Sequence, residues 1–313
     1  MLSRIQYLMS AAVAALALLG GVSAPVAQQI ELAPKALATT TTPILRNWMS
    51  PEVADAWAKG YKGKGVTITF VDDFFSTSKF YGNFGTGRLL QRHGEWTRLE
   101  SSMIAPLATI KSQDFNSGKT VNLSAGLNVL NLSYGMYASS SYKLSQLRWS
   151  AQESSIISYA KTGKAVIAKA AGNDAVAIGG SAGGATDFLN LALVGTQSGI
   201  FVGALNSNGT TSKKATLASY SNYAGSDAAV QSHFLVVGVE GSKTGLYGTS
   251  FAAPIISGYA AILGSKFTKA TPTQITSQLL TTARKDTLLN YDVSIYGQGE
   301  ASLTRALAPL TIK

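Results

Sequence analysis

Three apolar segments that each end in small or polar residues constrain the fold of this chain most strongly. They are VTITFVD at 66–72, LNVLNLSYG at 127–135 and AVIAKAAGN at 165–173. Short aliphatic and β-branched runs of this kind predict buried strands. Further strands of the same style are predicted at 190–197, 200–206 and 234–241.

Segments with helical patterns alternate with these strands. The first has Ser50 as a candidate cap, followed by Pro51 and Glu52, which is a helix-start signal. Further helices are predicted at 145–163, 250–264 and 271–284. The alternation predicts an α/β fold, a three-layer α/β/α sandwich with a mainly parallel central sheet.

The N-terminus has the layout of a secretory signal peptide. Arg4 precedes an apolar run at 8–19, and small residues follow up to position 27. The alternative is a membrane anchor, but the run is shorter than the ~18–20 apolar residues that a span needs. We therefore expect a signal peptide at 1–27, a Thr-rich linker at 28–44 and one domain at 45–313, in a secreted or periplasmic protein without stable membrane insertion.

Composition narrows the choice of partners. The chain has no cysteine, so an exported form must be stabilised by packing rather than by disulfides. Its net charge of +10 would suit an acidic partner. The Lys and Arg residues are scattered, however, and no basic stripe is interleaved with aromatic residues. We expect a solvated basic surface, no nucleic-acid partner and a monomer.

Several chemistry-bearing residues follow the predicted strands directly. In open parallel sheets, sites form outside the carboxyl ends of the strands. Asp72 ends the first strand, Ser133, Tyr134 and Gly135 end the second, and Gly172 and Asn173 end the third. His93 follows in a Gly-bounded context, QRHGEW at 91–96, and Ser250 begins the predicted helix 250–264.

These residues supply what nucleophilic hydrolysis by serine requires. That chemistry needs a serine nucleophile, a histidine base, a carboxylate that fixes the histidine tautomer and donors for the oxyanion. Ser250, His93, Asp72 and Asn173 fit these four needs. The chain contains only two histidines, and the other, His233, lies before a strand with no motif around it.

The chain order Asp, His, Ser and the surrounding motifs resemble the subtilase (subtilisin-like) serine protease family, peptidase S8. GTSFAAP at 248–254 is similar to its nucleophile motif, and HG at 93–94 to the start of its histidine helix. The resemblance extends over about residues 45–308. Other matching segments are AWAKGYKGKGVTITFVD at 56–72, VLNLSYG at 129–135, AVIAKAAGN at 165–173 and YGQGEASLTRAL at 296–307.

The resemblance implies a role for each site residue. Ser250 would attack the scissile carbonyl, His93 would act as general base and then acid, and Asp72 would orient His93. Asn173 and the Ser250 backbone N–H would bind the oxyanion. The substrate main chain would pair with two segments, Ser133, Tyr134 and Gly135 on one side and Ala170, Ala171 and Gly172 on the other.

The sequence departs from the family pattern at three places. Asp72 is followed by Asp73 and Phe74, and we expect the Asp73 side chain to point away from Asp72, as alternate residues of a strand do. Trp96 and Arg98 replace small residues of the histidine helix, so its packing must differ. There is no room for the family's calcium loop or for an inhibitory pro-domain, so we expect no metal and no cofactor.

The predicted function is a serine-type endopeptidase that hydrolyses protein or peptide substrates through an Asp-His-Ser triad and an acyl-enzyme. The alternative is a catalytically impaired pseudoprotease of the same fold that binds peptides or supports assembly. A basic cell-surface binding module is a third interpretation, which leaves Ser250, His93 and Asp72 unexplained.

Overall fold

The computed structural model describes residues 6–8 and 42–313 of the chain, and strands and helices alternate along most of that part. The strands are β1 Gln6–Leu8, β2 Val66–Asp72, β3 Phe80–Gly82, β4 Leu89–Gln91, β5 Thr109–Asp114, β6 Leu127–Leu132, β7 Gly135–Ser139, β8 Val166–Ala170, β9 Ser181–Ala182, β10 Ala185–Asp187, β11 Gly199–Leu205 and β12 Phe234–Gly238. The helices are α1 Glu52–Ala58, α2 His93–Ile104, α3 Ala151–Thr162, α4 Phe188–Leu193, α5 Ala228–Gln231, α6 Gly241–Thr244, α7 Ala253–Lys266, α8 Pro272–Thr281, α9 Val293–Tyr296 and α10 Leu303–Ala306.

The central sheet is parallel throughout. Across the described residues it contains six strands in the order β12-β11-β8-β6-β2-β5. An antiparallel sheet has the order β1-β7-β10-β9, and β3 and β4 form a hairpin. The prediction of a mainly parallel central sheet is confirmed.

Side chains of the strands alternate between two hydrophobic clusters, one on each face of the sheet. On β2, Ile68 and Phe70 belong to the cluster that includes α2, α7 and α8. Val71, together with Leu130 of β6, belongs to the cluster that includes α3 and α4. Helices therefore cover both faces, which confirms the three-layer α/β/α arrangement.

Helix α7 crosses the middle of one face, and its small residues explain how it fits there. All of its residues from Ala253 to Gly264 are buried. A Cβ at Gly258 would lie 2.7 Å from Cγ2 of Ile104 in α2, and one at Gly264 would lie 2.4 Å from a methyl carbon of Leu127. The small-residue run after Ser250 therefore lets α7 approach α2 and the sheet closely.

One predicted strand is wrong. The segment 190–197 overlaps helix α4, which begins at Phe188. The Asp187 carboxylate accepts a hydrogen bond from Leu189 N at 3.0 Å and so caps the helix. A short apolar run does not distinguish a strand from a buried helix by its pattern alone.

The predicted signal peptide and linker lie mostly outside the described residues. Of residues 1–27, only Gln6–Leu8 are described, as an antiparallel partner of Gly135–Tyr137 in β7. Among the residues that the structure describes, no helix is long and apolar enough to cross a membrane.

Candidate active site

The end of β2 and the start of α2 bring Asp72 and His93 together. His93 Nδ1 lies 2.6 Å from Asp72 Oδ1, and both side chains are buried. Since a carboxylate only accepts, His93 donates through Nδ1–H, which leaves Nε2 of the neutral ring as the acceptor. Thr97, one turn further along α2, donates to Asp72 Oδ2 at 2.9 Å.

The surroundings of His93 favour its charged form. Burial lowers the pKa of His93, but the Asp72 charge, the Asp72 hydrogen bond and the nearby Asp73 charge together outweigh burial. The net result is that the pKa of His93 lies above its ordinary value of 6.5.

The carboxylate of Asp73, which follows Asp72 at the end of β2, is bonded to Ser76 rather than to His93. The side chain of Asp73 accepts a hydrogen bond from Ser76 N at 2.9 Å and another from the Ser76 hydroxyl. Its backbone carbonyl accepts from Gly94 N at 3.0 Å. A Cβ at position 94 would lie 2.7 Å from that carbonyl oxygen, so the glycine after His93 allows the close approach.

The two large residues of α2, Trp96 and Arg98, each pack against an aromatic side chain outside the helix. Trp96 is fully buried, its ring centroid lies 5.5 Å from that of Phe84, and its indole N–H donates to Phe80 O at 3.1 Å. Arg98 lies over the Phe74 ring and donates to Ser112 Oγ at 3.2 Å. The β3–β4 hairpin region, inserted between Asp72 and His93, therefore provides the packing for Trp96 while the Asp72–His93 bond is kept.

Ser250 lies in a tight turn just before α7. The turn spans Thr249–Phe251 and begins after Gly248, whose φ of +123° favours glycine. The Ser250 hydroxyl donates to Ser133 O at 3.3 Å, and the Ser133 hydroxyl donates back to Ser250 O at 3.0 Å. The ring centroids of His93 and Phe251 are 5.8 Å apart, so His93 lies beside this turn.

In the described part of the chain, no hydrogen bond joins the Ser250 hydroxyl to the His93 ring. Attack on a substrate would therefore begin with rotation of this hydroxyl away from Ser133 O. Hydrogen bonds between catalytic groups often form fully only when substrate is bound.

Asn173 has an oriented side-chain amide. Its Oδ1 accepts from Thr249 N at 2.8 Å and from the Thr249 hydroxyl at 3.0 Å. The same hydroxyl accepts from Gly172 N at 3.0 Å. Thr249 thus fixes the orientation of the Asn173 amide, and its Nδ2 lies beside Gly248.

The segments predicted to pair with substrate flank Ser250. Ser133, Tyr134 and Gly135 line one side of a small cavity beside it, and Ala170 and Gly172 line the other. The side chain of Ala171 instead packs into the hydrophobic cluster beneath, while its carbonyl accepts from Asn190 Nδ2 and Asn222 Nδ2 at 3.0 Å each.

His233 lies away from this group. It immediately precedes β12, at the amino end of the parallel sheet, and its Nδ1 is 2.8 Å from Gly199 O. Among the described residues there is also no group of three or more His, Asp or Glu side chains that could hold a metal ion.

Sequence reasoning missed Thr97 and Thr249, which hold Asp72 and Asn173 in place. Thr97 was accessible in principle, because it lies four residues after His93 on a predicted helix and hence on the same face. The contact of Thr249 with Asn173 spans 76 residues of chain and depends on the fold, so no local pattern indicates it.

Comparison with known proteins shows the family and the fold of this chain. The family model described as Subtilase family (Peptidase_S8) matches residues 96–299, well over half of the chain. The chain belongs to the subtilase family. Its members are serine-type peptidases, and the match includes Asn173 and Ser250 but begins after Asp72 and His93. The search of curated protein sequences gave no match.

Solved structures show the same fold at low sequence identity. The MycP3 protease from the type VII (ESX-3) secretion system is 17% identical, with a TM-score of 0.55 over 87% of this chain and 90% of that one. The prenylagaramide maturation protease PagA is 18% identical, with a TM-score of 0.54 over 82% and 98%. MycP1 from Mycobacterium smegmatis is 19% identical, with a TM-score of 0.52 over 90% and 89%.

Proposed function

We propose that this chain is a secreted or periplasmic serine endopeptidase that cleaves protein or peptide substrates through an acyl-enzyme. The observation that carries the proposal is the convergence of Ser250, Asn173 and the bonded Asp72–His93 pair, with its 2.6 Å contact, at the carboxyl-terminal edge of one parallel sheet. These are the groups that acyl transfer by serine requires.

The proton of the attacking hydroxyl passes through His93. When Ser250 Oγ rotates toward the ring and attacks the scissile carbonyl carbon, Nε2 of neutral His93 accepts the hydroxyl proton. The resulting imidazolium is stabilised by Asp72, and it then protonates the leaving amine as the peptide bond breaks. Water repeats the sequence to release the acyl group from Ser250.

The negative charge on the carbonyl oxygen falls between two donors. Asn173 Nδ2 is one, because Thr249 holds the other end of that amide. The Ser250 backbone N–H, at the start of the buried helix region, is the second. Donors that are fixed before the reaction stabilise the transition state without reorganising during it.

The substrate main chain would add as a strand at the edge of Gly135–Tyr137. This edge already accepts an extended segment, because residues 6–8 pair with it antiparallel. If residues 1–27 are removed at export, the edge becomes available to substrate. N-terminal sequencing of the exported protein tests this step; a mature chain that retains residues 6–8 would contradict it.

The test of the function is peptide hydrolysis by matched variants. We expect wild type to cleave an unfolded protein substrate, and Ser250→Ala and His93→Ala each to lose at least about 10⁴-fold in kcat. His233→Ala is the matched control and should retain activity. Loss of activity in His233→Ala but not in His93→Ala would contradict the assignment.

A further inference from the structure

The cavity beside Ser250 is small, and its size bears on which substrates fit. It lies between the two segments that would hold the substrate main chain, next to Ser250 and Asn173. The side chain of the residue that precedes the scissile bond must therefore enter it. The cavity offers about 20 Å³ to the centre of a water molecule. About 10–15 Å³ on this measure holds one water, so the space suits a methyl or hydroxymethyl group and not an aromatic ring.

Tyr137 is the side chain that limits this space. It follows Gly135 by two residues in β7, so the two positions share a face of the strand. A Cβ at Gly135 would lie 2.4 Å from Cε2 of Tyr137, which means that the ring lies directly over the glycine. Its hydroxyl lies 3.4 Å from Asp174 Oδ2 on the opposite wall. Tyr137 thus crosses the cavity from β7 to the segment after Asn173.

A buried ion pair closes the cavity below. Lys169 Nζ lies 3.0 Å from Asp187 Oδ2 and donates to Ala170 O at 2.6 Å. Asp187 Oδ1 accepts from Met136 N at 2.9 Å and from Leu189 N at 3.0 Å. Because each charge is paired and hydrogen-bonded, the floor is fixed and carries no uncompensated charge to attract a charged substrate side chain.

A second small cavity lies behind Tyr137. It offers about 10 Å³ on the same measure, and Tyr137 lines both cavities. Its other walls include Val176, Gly180, Asn190 and Asp174. The Tyr137 ring is therefore a partition, and shortening this side chain would join the two spaces into one deeper pocket.

We propose that Tyr137 is a specificity-determining residue that restricts the position before the scissile bond to Gly, Ala or Ser. The proposal rests on the protease function proposed above and adds the substrate class to it. It is carried by the ring over Gly135, the paired charges of Lys169 and Asp187, and the separate cavity behind the ring.

The test uses one fluorogenic peptide series that varies only the residue before the scissile bond, among Gly, Ala, Ser, Leu, Phe, Asp and Lys. For wild type we expect kcat/KM for Ala to exceed that for Phe by at least about 10²-fold, because a hydrophobic pocket discriminates roughly 10–200-fold per methylene. Tyr137→Ala should reduce this ratio by at least about tenfold by raising the rate for Leu and Phe. Tyr137→Phe keeps the ring and should keep the wild-type profile.

Two controls keep the outcomes distinct. Tyr142→Ala removes a half-buried tyrosine that lines neither cavity and should leave the profile unchanged. Labelling of Ser250 by a fluorophosphonate reports an assembled site in every variant. If Tyr137→Ala does not fold, Tyr137→Val carries the same test with a small apolar side chain that suits a strand.

The proposal is overturned if labelled wild type prefers Phe, Leu, Asp or Lys, or if a folded, labelled Tyr137→Ala or Tyr137→Val keeps the wild-type ratio. A wild type that neither labels nor cleaves any peptide overturns the protease function itself.

Discussion

The Asp72 carboxylate receives three hydrogen bonds from the described residues, and they define the acid–base character of the site. The donors are His93 Nδ1, the Thr97 hydroxyl and the backbone N–H of Asp73. These bonds fix the Asp72 carboxylate in the position where it accepts the hydrogen bond from His93 Nδ1. His93 is thereby fixed in the tautomer that a general base needs.

The pH dependence of the rate follows from the raised pKa of His93. A raised pKa means that His93 stays protonated, and so unable to accept the Ser250 proton, to a higher pH. We expect kcat/KM to rise with pH through a midpoint above 6.5. Asp73→Asn should move this midpoint downward, by less than about one unit, because it removes a charge that favours the imidazolium.

The control for this change is Asp286→Asn, at an exposed carboxylate paired with Arg305 away from the site. It should leave the pH profile of kcat/KM unaltered. A midpoint that rises in Asp73→Asn would contradict the account of His93.

Asn173 should act mainly on the transition state. Asn173→Ala is expected to lower kcat by about 10²–10³ with little change in KM, because the amide donor is needed only when the carbonyl oxygen becomes negative. Asn206→Ala removes an exposed amide elsewhere and is the control. Steady-state kinetics on one peptide checks both, and an unchanged kcat in Asn173→Ala would remove Asn173 from the oxyanion site.

At the scale of elements, α2 connects the stability of the fold with the position of His93. Trp96 packs under the β3–β4 hairpin region, next to Phe84, from the same helix that carries His93. We expect Trp96→Ala to lower the free energy of unfolding by about 3–5 kcal/mol. Trp149→Ala, at a half-buried tryptophan, should cost less in the same urea titrations. Equal costs would mean that the Trp96 contacts do not support α2.

The same helix contains a buried acid with no bonding partner. Glu100 is fully buried, and neither carboxylate oxygen has a hydrogen-bond partner among the residues that the structure describes. Burial raises the pKa of Glu100 well above its ordinary value, since the charged form loses its hydration. Burial therefore favours the neutral form of the Glu100 carboxyl group in the fold.

This predicts a stability difference that depends on pH. The pKa of Glu100 in the fold lies above its value of about 4.3 in the unfolded chain. The stability that this shift contributes is complete below the unfolded-state pKa, and it is lost as the pH rises through the folded-state pKa. The side chain in Glu100→Gln stays neutral. The free energy of unfolding of this variant should therefore increase relative to that of wild type as the pH rises.

Unfolding titrations of both proteins from pH 4 to pH 9 measure this difference. Ser101→Ala is the control, because Ser101 is the equally buried neighbour of Glu100 and its hydroxyl does not titrate in this range. Its difference from wild type should not change with pH. A constant difference between Glu100→Gln and wild type would mean that the pKa of Glu100 is the same in the folded and unfolded chain, and would contradict this account.

Strands and helices with a strong sequence pattern could be predicted, and those with an ambiguous pattern could not. The bounds of β2 agree with the predicted 66–72, because a β-branched run ends there in Asp72. The predicted helix 145–163 ends where α3 ends, because Gly163 closes α3 in a left-handed conformation. Helix α4 was missed because its signal, the cap at Asp187, lies before the apolar run that was interpreted as a strand.

At the scale of the whole molecule, the parallel sheet explains why the site could be predicted at all. Parallel strands present their carboxyl ends at one edge, so Asp72, Ser133 and Asn173 meet there although they are far apart in sequence. The support from Thr249 and the partition formed by Tyr137 could not be predicted. Both depend on side-chain contacts between distant segments, which a sequence pattern does not contain.

The central claim is that the fold assembles a working nucleophile at Ser250. The measurement that tests it most directly is labelling of the purified mature chain with a fluorophosphonate, followed by mass spectrometry of the labelled peptide. We expect one adduct, on Ser250, in wild type and in His233→Ala, and none in Ser250→Ala or His93→Ala. A folded wild type that takes up no label would contradict the claim and would favour a peptide-binding pseudoprotease in which the Ser250 hydroxyl stays bonded to Ser133.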